Sequence, residues 1–511
     1  MRVTSSMLTN NSIINMQKTK QNYSKYLEQY TTQQKISAPS DDPIVAVRSL
    51  KYRTNMSELE QYRKKNIPDA FSWMDITEGA LKQVNGIMEN MYGYANEAAS
   101  DSYNFDDRQN IIDSLKQYKD FVYKQQLNAD YAGRYVFAGY RTDTQMIFEA
   151  AQSNQTYSIV ENLDITSVVS DKYVYGGAEY SANTTAEQYA QMAPELKECH
   201  KMQLSYSNLD DESLDGTSDY VTIKFTDANG IEREITAVTK HISDEPQNIV
   251  YNTEDNGVGD GGAVYVPETG EIVFGDVLYD ELRAAKNFSV SYNKTEFTDS
   301  DVRPEHYFEC DVYDHGTNET IEYRLPEEQK INYQINFSQM LTVNTLGKDA
   351  IALGIGRMVD KIVKASDDLA VTTEALNSVK KRIEETPLDA VDVNGVNIVE
   401  SLTRLQSELE TEITLKTTIL QESFGESLTG IKKFQNQLNT ALSDLGARYK
   451  RLELTETKLD DLNVSYEELL SENEDVDIGE AYIKYTEADL LYQASLSATS
   501  KVLGNSLLDF I

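Results

Sequence analysis

The sequence has little of what marks membrane-spanning, disulfide-rich or Sec-exported proteins. Its 511 residues include two cysteines, which cannot form a disulfide framework. No apolar run approaches the roughly eighteen residues that a transmembrane helix needs. The segment MRVTSSMLTNNSIINMQ has neither a continuous apolar core nor a small-residue cleavage site, so we expect no Sec signal peptide. The chain is nevertheless long enough for about three domains, and its 40% hydrophobic content is that of a folded protein.

Positive charge is scarce in the chain as a whole. Lys and Arg number 47 against 84 Asp and Glu, which gives a net charge of −37 and a pI near 4.5. Because phosphate groups are bound by clustered cations, this balance argues against nucleic acid and anionic membranes as partners. Residues 1–36 are the exception, with a net charge of +4 from Glu28 and five cations: Arg2, Lys18, Lys20, Lys25 and Lys35. This segment is either a solvated helix face or a surface that meets something acidic.

The stretch KISAPSDDPIVAVRSL holds two prolines on either side of three polar residues. Residues 7–36 contain few helix breakers and predict a first helix. Ala38 precedes Pro39, and a residue before proline is disfavoured in the helical conformation, so that helix must end there. The polar residues can accept hydrogen bonds from the free N–H groups of a following helix, whose first turn accommodates proline. The sequence therefore predicts a geometric hinge at Pro39, Ser40, Asp41, Asp42 and Pro43.

The helical pattern resumes over about residues 43–99. Apolar side chains recur there at alternating steps of three and four, the heptad pattern of a coiled-coil seam. Pro68 either kinks one long helix or divides it into two. A further helix is predicted over about 106–130. We assign Leu81, Val84 and Met88 to an intrachain seam.

The pattern changes after about Tyr140, where strand–turn–strand units begin. The segment TIKFTDANGIEREI places Asn229–Gly230 between two alternating runs, which is a strong hairpin signal. The segment AVYVPETGEIVF repeats the pattern around Pro267 and Gly270, and FSVSY and INYQINF add further strands. Residues 141–340 are therefore predicted to form a β-rich insert with one short helix near 276–286.

From about residue 349 the chain is helical again, with helices predicted over about 349–385 and 397–470. A second heptad seam contains Leu445, Leu452 and Leu459, which we expect to pack within the chain against the first seam. Two seams so distant in sequence can bury each other only if the chain ends come together. The fold class is thus mainly α: long antiparallel helices or a coiled coil formed by both termini, with a β-rich central insert domain.

The last helix carries few charges on any face. Between Leu490 and Leu508 its only charged residue is Lys501. A helix that faces solvent normally carries charged residues on its outer side, so small uncharged residues all round indicate packing on several sides. We expect other chains to provide part of that packing, at a polymer interface made by Tyr492, Leu496, Thr499, Leu503, Leu507 and Phe510.

No catalytic pattern stands out. GVGDGG matches the glycine spacing of dinucleotide-binding loops, but it leads into a strand and not into the helix that such loops require. HYFECDVYDH holds His306, Cys310 and His315, and Cys199–His200 adds two soft ligands, yet these spacings match no zinc site. We therefore expect no enzyme, no metal and no cofactor.

Both ends of the chain carry the motifs of one family. The motifs are ISAPSDDPIVAVRSL, GRYVFAGYRTDT, LTVNTLGKDAI, DLGARYKRLE and the ending SLLDFI. Through them, residues 1–148 and 340–511 resemble the hook-associated protein 3 family of bacterial flagellar hook–filament junction proteins, which are relatives of flagellin. The ending is more similar to that of the junction proteins than to that of flagellin. The middle of the chain resembles the family only loosely, and 349–440 departs from its pattern.

The resemblance implies a five-part organisation. Segments 1–40 and 475–511 would be the terminal helices of an inner coiled coil that lines a tube. Segments 41–140 and 341–474 would be two halves of a helical rod, and 141–340 a surface-exposed insert. The hinge would hold the inner helix at a fixed angle to the rod.

The resemblance also implies a place in the cell and a set of partners. Export would follow the flagellar type III route, to the extracellular hook–filament junction. The partners would be further copies of the chain, the neighbouring hook-associated protein on the hook side, flagellin on the filament side and a flagellar export chaperone. Nucleic acid and membrane would not be partners.

Three functions stay open at this point. The first is the structural adapter that the resemblance implies. The second is flagellin itself, the filament subunit, and the third is a secreted adhesin or enzyme carried on a flagellin-like scaffold. Copy number separates the first two, because an adapter forms a single ring-like layer whereas a filament needs a far larger number of subunits.

Overall fold

In a computed structural model of the protein, the described residues are 5–100, 103–176, 193–227, 230–243, 246–326, 328–391 and 395–508. The chain divides into two compact units. Unit 1 comprises Met1–Phe71, Asn332–Leu341 and Arg448–Ile511, and unit 2 comprises Ser72–Ile331 and Thr342–Ala447. Long helices lie at both ends of the chain and strands fill its middle, which confirms the predicted fold class.

The described residues contain nine α-helices. They are α1 (Ser5–Thr32), α2 (Pro43–Gln61), α3 (Ile67–Ala98), α4 (Phe105–Asp120), α5 (Asp276–Ala285), α6 (Gly347–Ala350), α7 (Gly354–Glu385), α8 (Ile398–Glu474) and α9 (Ile478–Leu508). The predicted short helix near 276–286 is confirmed as α5. The helix predicted from 349 is instead the short α6 followed by α7. No helix in the described part of the chain is long and apolar enough to cross a membrane.

Two α-helices continue into π-helical turns. The turn Tyr62–Asn66 joins α2 to α3, and the N–H of Ile67 donates to the carbonyl oxygen of Tyr62. Pro68 follows directly and has no N–H to donate, so the wider turn lets the helical path pass the proline without ending. A second π turn, Phe121–Gln126, extends α4, and that helical segment ends short of the predicted residue 130.

The first helix ends at Thr32, four residues before the predicted end at 36. Gln33 has a φ of 61°, which no α-helix contains. Its carbonyl oxygen accepts from the N–H of Val476 at 2.9 Å, and the N–H of Lys35 donates to the carbonyl oxygen of Glu474 at 2.7 Å. These hydrogen bonds to a segment far along the chain replace those of a further helical turn.

The described residues contain fifteen strands. They are β1 (Asp130–Tyr131), β2 (Arg134–Tyr135), β3 (Gln155–Asp164), β4 (Val169–Tyr175), β5 (Glu195–Gln203), β6 (Thr222–Thr226), β7 (Glu232–Thr236), β8 (Val238–Thr239), β9 (Ala263–Val266), β10 (Glu271–Phe274), β11 (Asn287–Lys294), β12 (Glu309–Asp314), β13 (Glu319–Tyr323), β14 (Asn332–Asn336) and β15 (Gln339–Thr342).

Two sheets form the core of the β-rich region. The six-stranded sheet has the order β13-β12-β3-β11-β6-β7, and the five-stranded sheet has the order β4-β5-β10-β9-β8. One buried cluster joins Ile159 and Val290 of the first sheet to Met202 and Tyr265 of the second, together with Leu278 of α5. The two sheets therefore pack face to face, as in a β-sandwich.

The strand β9 shows how this packing follows from side-chain alternation. Tyr265 points into the core between the sheets, whereas Val264 and Val266 belong to a second cluster that includes Tyr173 of β4. All four β9 residues are buried. A strand buried on both faces has apolar residues at successive positions, which explains the continuous run AVYV.

Both predicted hairpins are confirmed by antiparallel pairing. β6 pairs with β7, with Ile223 opposite Ile235, although Asn229 of its turn lies outside the described residues. β9 pairs with β10, with Tyr265 opposite Ile272. The second turn needs a glycine, because Gly270 has a φ of 66° and a Cβ there would lie 2.0 Å from the carbonyl oxygen of Tyr206.

We expect Gly270→Ala to lower the free energy of unfolding by about 2–4 kcal/mol, from left-handed backbone strain and from the clash with Tyr206 together. Gly257→Ala is the matched control. Gly257 also has a positive φ, of 81°, but a Cβ there meets no atom within 4 Å. Gly257→Ala should therefore lower the free energy of unfolding through backbone strain alone, by about 1–2 kcal/mol. Urea unfolding of both variants measures the difference, and equal costs would contradict the steric explanation.

Candidate functional site

Unit 1 brings the two ends of the chain together as an antiparallel pair of helices, α1 and α9. The hydroxyl oxygens of Thr19 and Ser495 lie 2.8 Å apart. About two turns earlier along α1, the hydroxyl of Thr499 donates to the carbonyl oxygen of Ser12 at 3.5 Å. Residue numbers therefore increase along α9 where they decrease along α1, so the two helices are antiparallel.

Stacked tyrosines form the middle of this helix pair. The ring centroids of Tyr23 and Tyr492 are 5.5 Å apart with an 18° interplanar angle, and those of Tyr30 and Tyr485 are 5.6 Å apart at 7°. Tyr23 also meets Tyr485 at 5.7 Å, and Tyr30 meets Tyr482 at 5.7 Å. A hydrogen bond with Tyr23 raises the pKa of Tyr485. Offset aromatic pairs of this kind stabilise a contact beyond the area that they bury.

The sequence interpretation missed the α1 half of this tyrosine stack. Tyr23 and Tyr30 are seven residues apart on α1, as Tyr485 and Tyr492 are on α9. A seven-residue spacing places side chains on one helix face, so the matching pairs were a usable signal.

The residues of the predicted polymer interface fall into three groups. Tyr492 and Thr499 contact α1 of the same chain, so part of the seam assigned to other chains is covered within the chain. Leu496 is exposed. Leu503 and Leu507 lie in α9 with side chains outside the described part, and Phe510 lies outside it altogether. A role for these residues between chains stays a prediction.

On the side of α9 that faces away from the tyrosine stack, large apolar side chains are exposed. Its large side chains there are Ile483, Leu490 and Leu491. An isolated surface helix would carry polar residues at such positions. Several large apolar side chains exposed on one side of a helix are typical of an interaction surface.

The hinge residues form a turn that is held by two aspartates. The N–H groups of Ser37 and Ala38 donate to Asp41 Oδ2 at 3.0 and 2.9 Å. These hydrogen bonds, that of Ala38 first, lower the pKa of Asp41. Asp42 Oδ1 accepts from the N–H groups of Ile44 and Val45 at 3.0 and 3.2 Å, and so caps α2.

Pro39, Ser40 and Pro43 complete this local geometry. Pro39 and Ser40 lie in the turn, and Pro43 is the first residue of α2. The first turn of a helix has free N–H groups, so a proline costs no hydrogen bond there. This arrangement matches the geometry expected from the sequence, while its role as an interdomain hinge stays a prediction.

A second segment, residues 473–477, pairs with the hinge. Asn473 Nδ2 donates to Ser49 Oγ at 2.6 Å and to the carbonyl oxygen of Val45 at 3.0 Å. Arg53 Nη2 and Glu474 Oε2 form an ion pair at 2.7 Å. Asp477 accepts from the N–H groups at the start of α9 and caps that helix. The chain therefore passes through this region twice, and the two segments are hydrogen-bonded to each other. Asp42 caps α2 after the first passage, and Asp477 caps α9 after the second.

We expect Asp42→Ala to destabilise unit 1 by about 1 kcal/mol, because it removes the side-chain cap of α2. Ser40→Ala is the control, since it changes a neighbouring exposed side chain and should stay within about 0.5 kcal/mol. Urea unfolding of the two full-length variants tests this. A cost as large for Ser40→Ala would show that the turn, and not the cap, stabilises the hinge.

All six residues of the predicted intrachain seams are buried. Leu81, Val84 and Met88 lie on α3, and Leu445, Leu452 and Leu459 lie on α8. Within unit 1 the two helices meet directly, because the rings of Phe71 and Tyr449 are 4.9 Å apart. Both aromatic residues belong to the heptad patterns of their helices. The role of the six residues as one continuous seam stays a prediction.

The residues considered for metal or nucleotide chemistry are dispersed. Cys199 lies on β5 and Cys310 on β12, in different sheets, and both are buried free thiols. Burial raises the pKa of each thiol to about 12. His306 is also buried, with Nε2 at 3.0 Å from the carbonyl oxygen of Gln145. In the described part of the chain, no group of three or more His, Cys, Asp or Glu could hold a metal ion.

Comparison with protein families identifies both ends of the chain. The model of the bacterial flagellin N-terminal helical region matches residues 3–142. The model of the bacterial flagellin C-terminal helical region matches residues 428–511. These ranges contain α1 to α4, the last part of α8 and all of α9. The resemblance drawn from the terminal motifs is confirmed.

Individual proteins that are similar to this chain are also flagellar proteins. Flagellar hook-associated protein 3 of Escherichia coli (strain K12) is 26% identical over 144 residues, which is 28% of this chain and 45% of that protein. Flagellin of Clostridium tyrobutyricum is 28% identical over 122 residues, 24% of this chain and 32% of that protein. The chain thus spans less than half the length of either relative. A solved structure of Xanthomonas campestris FlgL covers 81% of this chain and 98% of its own, at 12% identity and a TM-score of 0.31.

Proposed function

We propose that this protein is a structural adapter of the bacterial flagellum, which polymerises through its terminal helices and joins the hook side to the flagellin filament. One observation carries the proposal. The two regions that match flagellin terminal helices are the regions that pair as α1 and α9 within unit 1. The similarity to hook-associated protein 3 supports the junction, and not the body of the filament, as the site of action.

Polymerisation through the terminal helices has a physical basis in unit 1. The tyrosine stack joins α1 to α9 inside one chain, while Ile483, Leu490 and Leu491 remain exposed. Burial of such side chains between neighbouring copies would stabilise each contact by about 1.5–3 kcal/mol per side chain. A tube can form because every copy carries the same face and the same angle at its hinge.

The five segments would then divide the work. Segments 1–40 and 475–511 line the tube, 41–140 and 341–474 form the surrounding rod, and 141–340 faces the medium. The partners would be further copies, a neighbouring hook-associated protein, flagellin and an export chaperone. A net charge of −37 would keep the exported chain soluble before assembly through self-repulsion.

The protein would act outside the cell, at the hook–filament junction, after export by the flagellar type III route. It would need neither a cofactor nor a catalytic residue, because its role is mechanical. The acidic surface would disfavour binding to nucleic acid and to anionic membranes.

Flagellin itself is the second candidate, and the similarity to the Clostridium tyrobutyricum flagellin favours it. Immunogold labelling of isolated flagella separates the two. A junction adapter gives label in one narrow band between hook and filament, and a deletion strain releases flagellin into the medium and does not swim. Label along the whole filament would support the flagellin alternative. Label absent from flagella would reject both functions.

A further inference from the structure

The first half of α2 in unit 1 exposes three large aliphatic side chains and buries a small polar one, whereas Leu59 near the end of the helix is buried. Ile44, Val47 and Leu50, the α2 patch, are 66%, 67% and 67% exposed. Ser49 is buried and accepts a hydrogen bond from Asn473 Nδ2. A surface helix normally has the opposite arrangement, with aliphatic residues inside. The α2 patch therefore has the character of a surface that another molecule covers.

The α2 patch has a groove on one side and two exposed cations next to it. Val47 and Leu50 border a groove of about 450 Å³ beside the hinge, with Pro39 and Pro43 on its wall. Arg48 and Lys51 are exposed next to the patch. In the described part of the chain neither cation takes part in an ion pair. The α2 patch, with these two cations beside it, thus suits an apolar helix face that also carries negative charge.

The α9 helix presents a face of that kind. Ile483, Leu490 and Leu491, the α9 patch, are 57%, 67% and 61% exposed, on the side away from the tyrosine stack. Glu487 lies between them, since positions 483, 487 and 490 follow the spacing of one helix face. Glu487 is exposed and, among the described residues, has no ion-pair partner. The α9 patch is therefore apolar with an acidic centre.

We infer that the α2 patch of one copy of this chain binds the α9 patch of a second copy, with Arg48 and Lys51 facing Glu487. The inference rests on the proposed polymeric function and specifies the contact that builds the polymer. Both patches match in apolar character, and their charges are opposite. When the two patches bury each other, Arg48 and Lys51 would come close to the carboxylate of Glu487.

A second copy, and not an unrelated protein, is the occupant because one chain carries both halves of the contact. The two patches share no residue, so each copy can bind one neighbour through α2 and another through α9. Such a head-to-tail contact continues from copy to copy and closes into a ring or extends as a helix. A symmetric dimer would instead bring two identical patches together and end there.

Disulfide trapping tests the contact in assembled flagella. Val47→Cys and Leu490→Cys are made as separate full-length variants with different tags and are co-expressed in a strain that lacks the wild-type gene. Isolated flagella are oxidised mildly and their proteins are separated without reductant. We expect the mixed dimer to exceed either dimer of identical variants by about tenfold, because the contact holds the two thiols at high effective concentration.

A matched control uses another exposed position of unit 1. Val464 is a 54% exposed valine on α8, so Val464→Cys combined with Leu490→Cys reports random collision. A mixed Val47–Leu490 dimer no more abundant than this control overturns the inference. Dominant dimers between identical Val47→Cys chains also overturn it, because they indicate a symmetric contact. In both cases immunogold label at the junction leaves the proposed function intact, whereas a chain absent from flagella rejects the function and the inference together.

Charge reversal tests the pairing of Glu487. We expect Glu487→Lys to reduce the trapped mixed dimer several-fold and to impair swimming. Arg48→Glu with Lys51→Glu, in the same chain as Glu487→Lys, should restore both, since every contact again joins opposite charges. All three positions are exposed, so circular dichroism should show an unchanged fold. Failure of the triple variant to recover trapping, with the protein present at the junction, overturns the proposed pairing.

Discussion

Leu452→Ala is expected to lower the free energy of unfolding by about 2–5 kcal/mol, the range for removal of a leucine side chain from a packed core. Leu452 lies on α8 in unit 1 and is 0% exposed. Alanine is an excellent helix former, so the helix itself loses nothing by the change. The cost comes from the lost burial and from the cavity that remains.

Leu454→Ala is the matched control for this prediction. Leu454 lies two residues further on the same helix and is 63% exposed. The same chemical change should therefore alter the free energy of unfolding by no more than about 0.5 kcal/mol. Urea unfolding of the two full-length proteins, followed by circular dichroism, measures both values. Similar losses for the two variants would show that α8 is not packed on the side that its heptad pattern indicates.

The burial of Leu452 illustrates what could be predicted from the sequence. The heptad pattern depends on steps of three and four along one helix, which fix the residues that share a face. The hairpin β6–β7 depends on alternation over a few residues around a turn signal. Both are local properties, so the sequence determines them without knowledge of the tertiary structure.

The end of α1 shows why other features could not be predicted. Ala38 and Pro39 set the last possible residue of the helix, and the chain leaves the helix earlier, after Thr32. The reason lies with Val476 and Glu474, whose backbone groups bond to residues 33 and 35. A hydrogen bond between segments more than 400 residues apart leaves no local pattern.

The predicted polymer interface on α9 shows a second limit of predictions from helical periodicity. Spacing placed Tyr492, Leu496 and Thr499 near one face, but it did not say which chain covers that face. The structure gives Tyr492 and Thr499 contacts with α1, while the exposed α9 patch lies on another side. Tyr23 and Tyr30 of α1 cover this face by stacking on Tyr492 and Tyr485.

A buried ionic cluster in unit 2 has no sequence signature at all. Lys201 Nζ lies 3.0 Å from Asp171 Oδ2 and 2.9 Å from Glu271 Oε1. Lys361 also pairs with Asp171 at 2.8 Å, and Lys364 pairs with Glu271 at 3.1 Å. These residues border a cavity of about 130 Å³ and come from β4, β5, β10 and α7. Only the folded topology brings the four elements together.

Among the residues of this cluster, Glu271 has the largest number of ion-pair and hydrogen-bond partners. Besides the two lysines, its Oε2 accepts hydrogen bonds from Tyr251 and Thr269, each at 2.8 Å. Burial opposes the charge of Glu271, but the attraction of Lys201 and Lys364 outweighs it and holds the pKa of this carboxyl well below its usual 4.5. The carboxylate therefore stays charged in a place where a lone charge would be costly.

We expect Glu271→Gln to destabilise the protein by about 3–5 kcal/mol, because it leaves the largely buried Lys201 and the partly buried Lys364 without their full countercharge. Glu422→Gln is the control. Glu422 pairs with Lys172 at 2.7 Å, but both side chains are partly exposed, so its loss should cost no more than about 1 kcal/mol. Urea unfolding near neutral pH compares the two variants. Equal losses in the free energy of unfolding would mean that water screens the charges of the cluster as effectively as those of a surface ion pair.

The pH dependence of the difference in unfolding free energy between wild type and Glu271→Gln provides an independent check. A carboxyl whose folded pKa is lowered stabilises the fold above its unfolded pKa and loses that contribution as the pH falls towards the folded pKa. For Glu271 the loss begins below about pH 4.5, where the unfolded chain takes up a proton that the folded chain excludes. The glutamine variant has no such proton, so the gap between wild type and Glu271→Gln should narrow steadily as the pH falls from about 5 to about 3. A gap that stays constant over this range would assign the cost of the substitution to packing and not to charge.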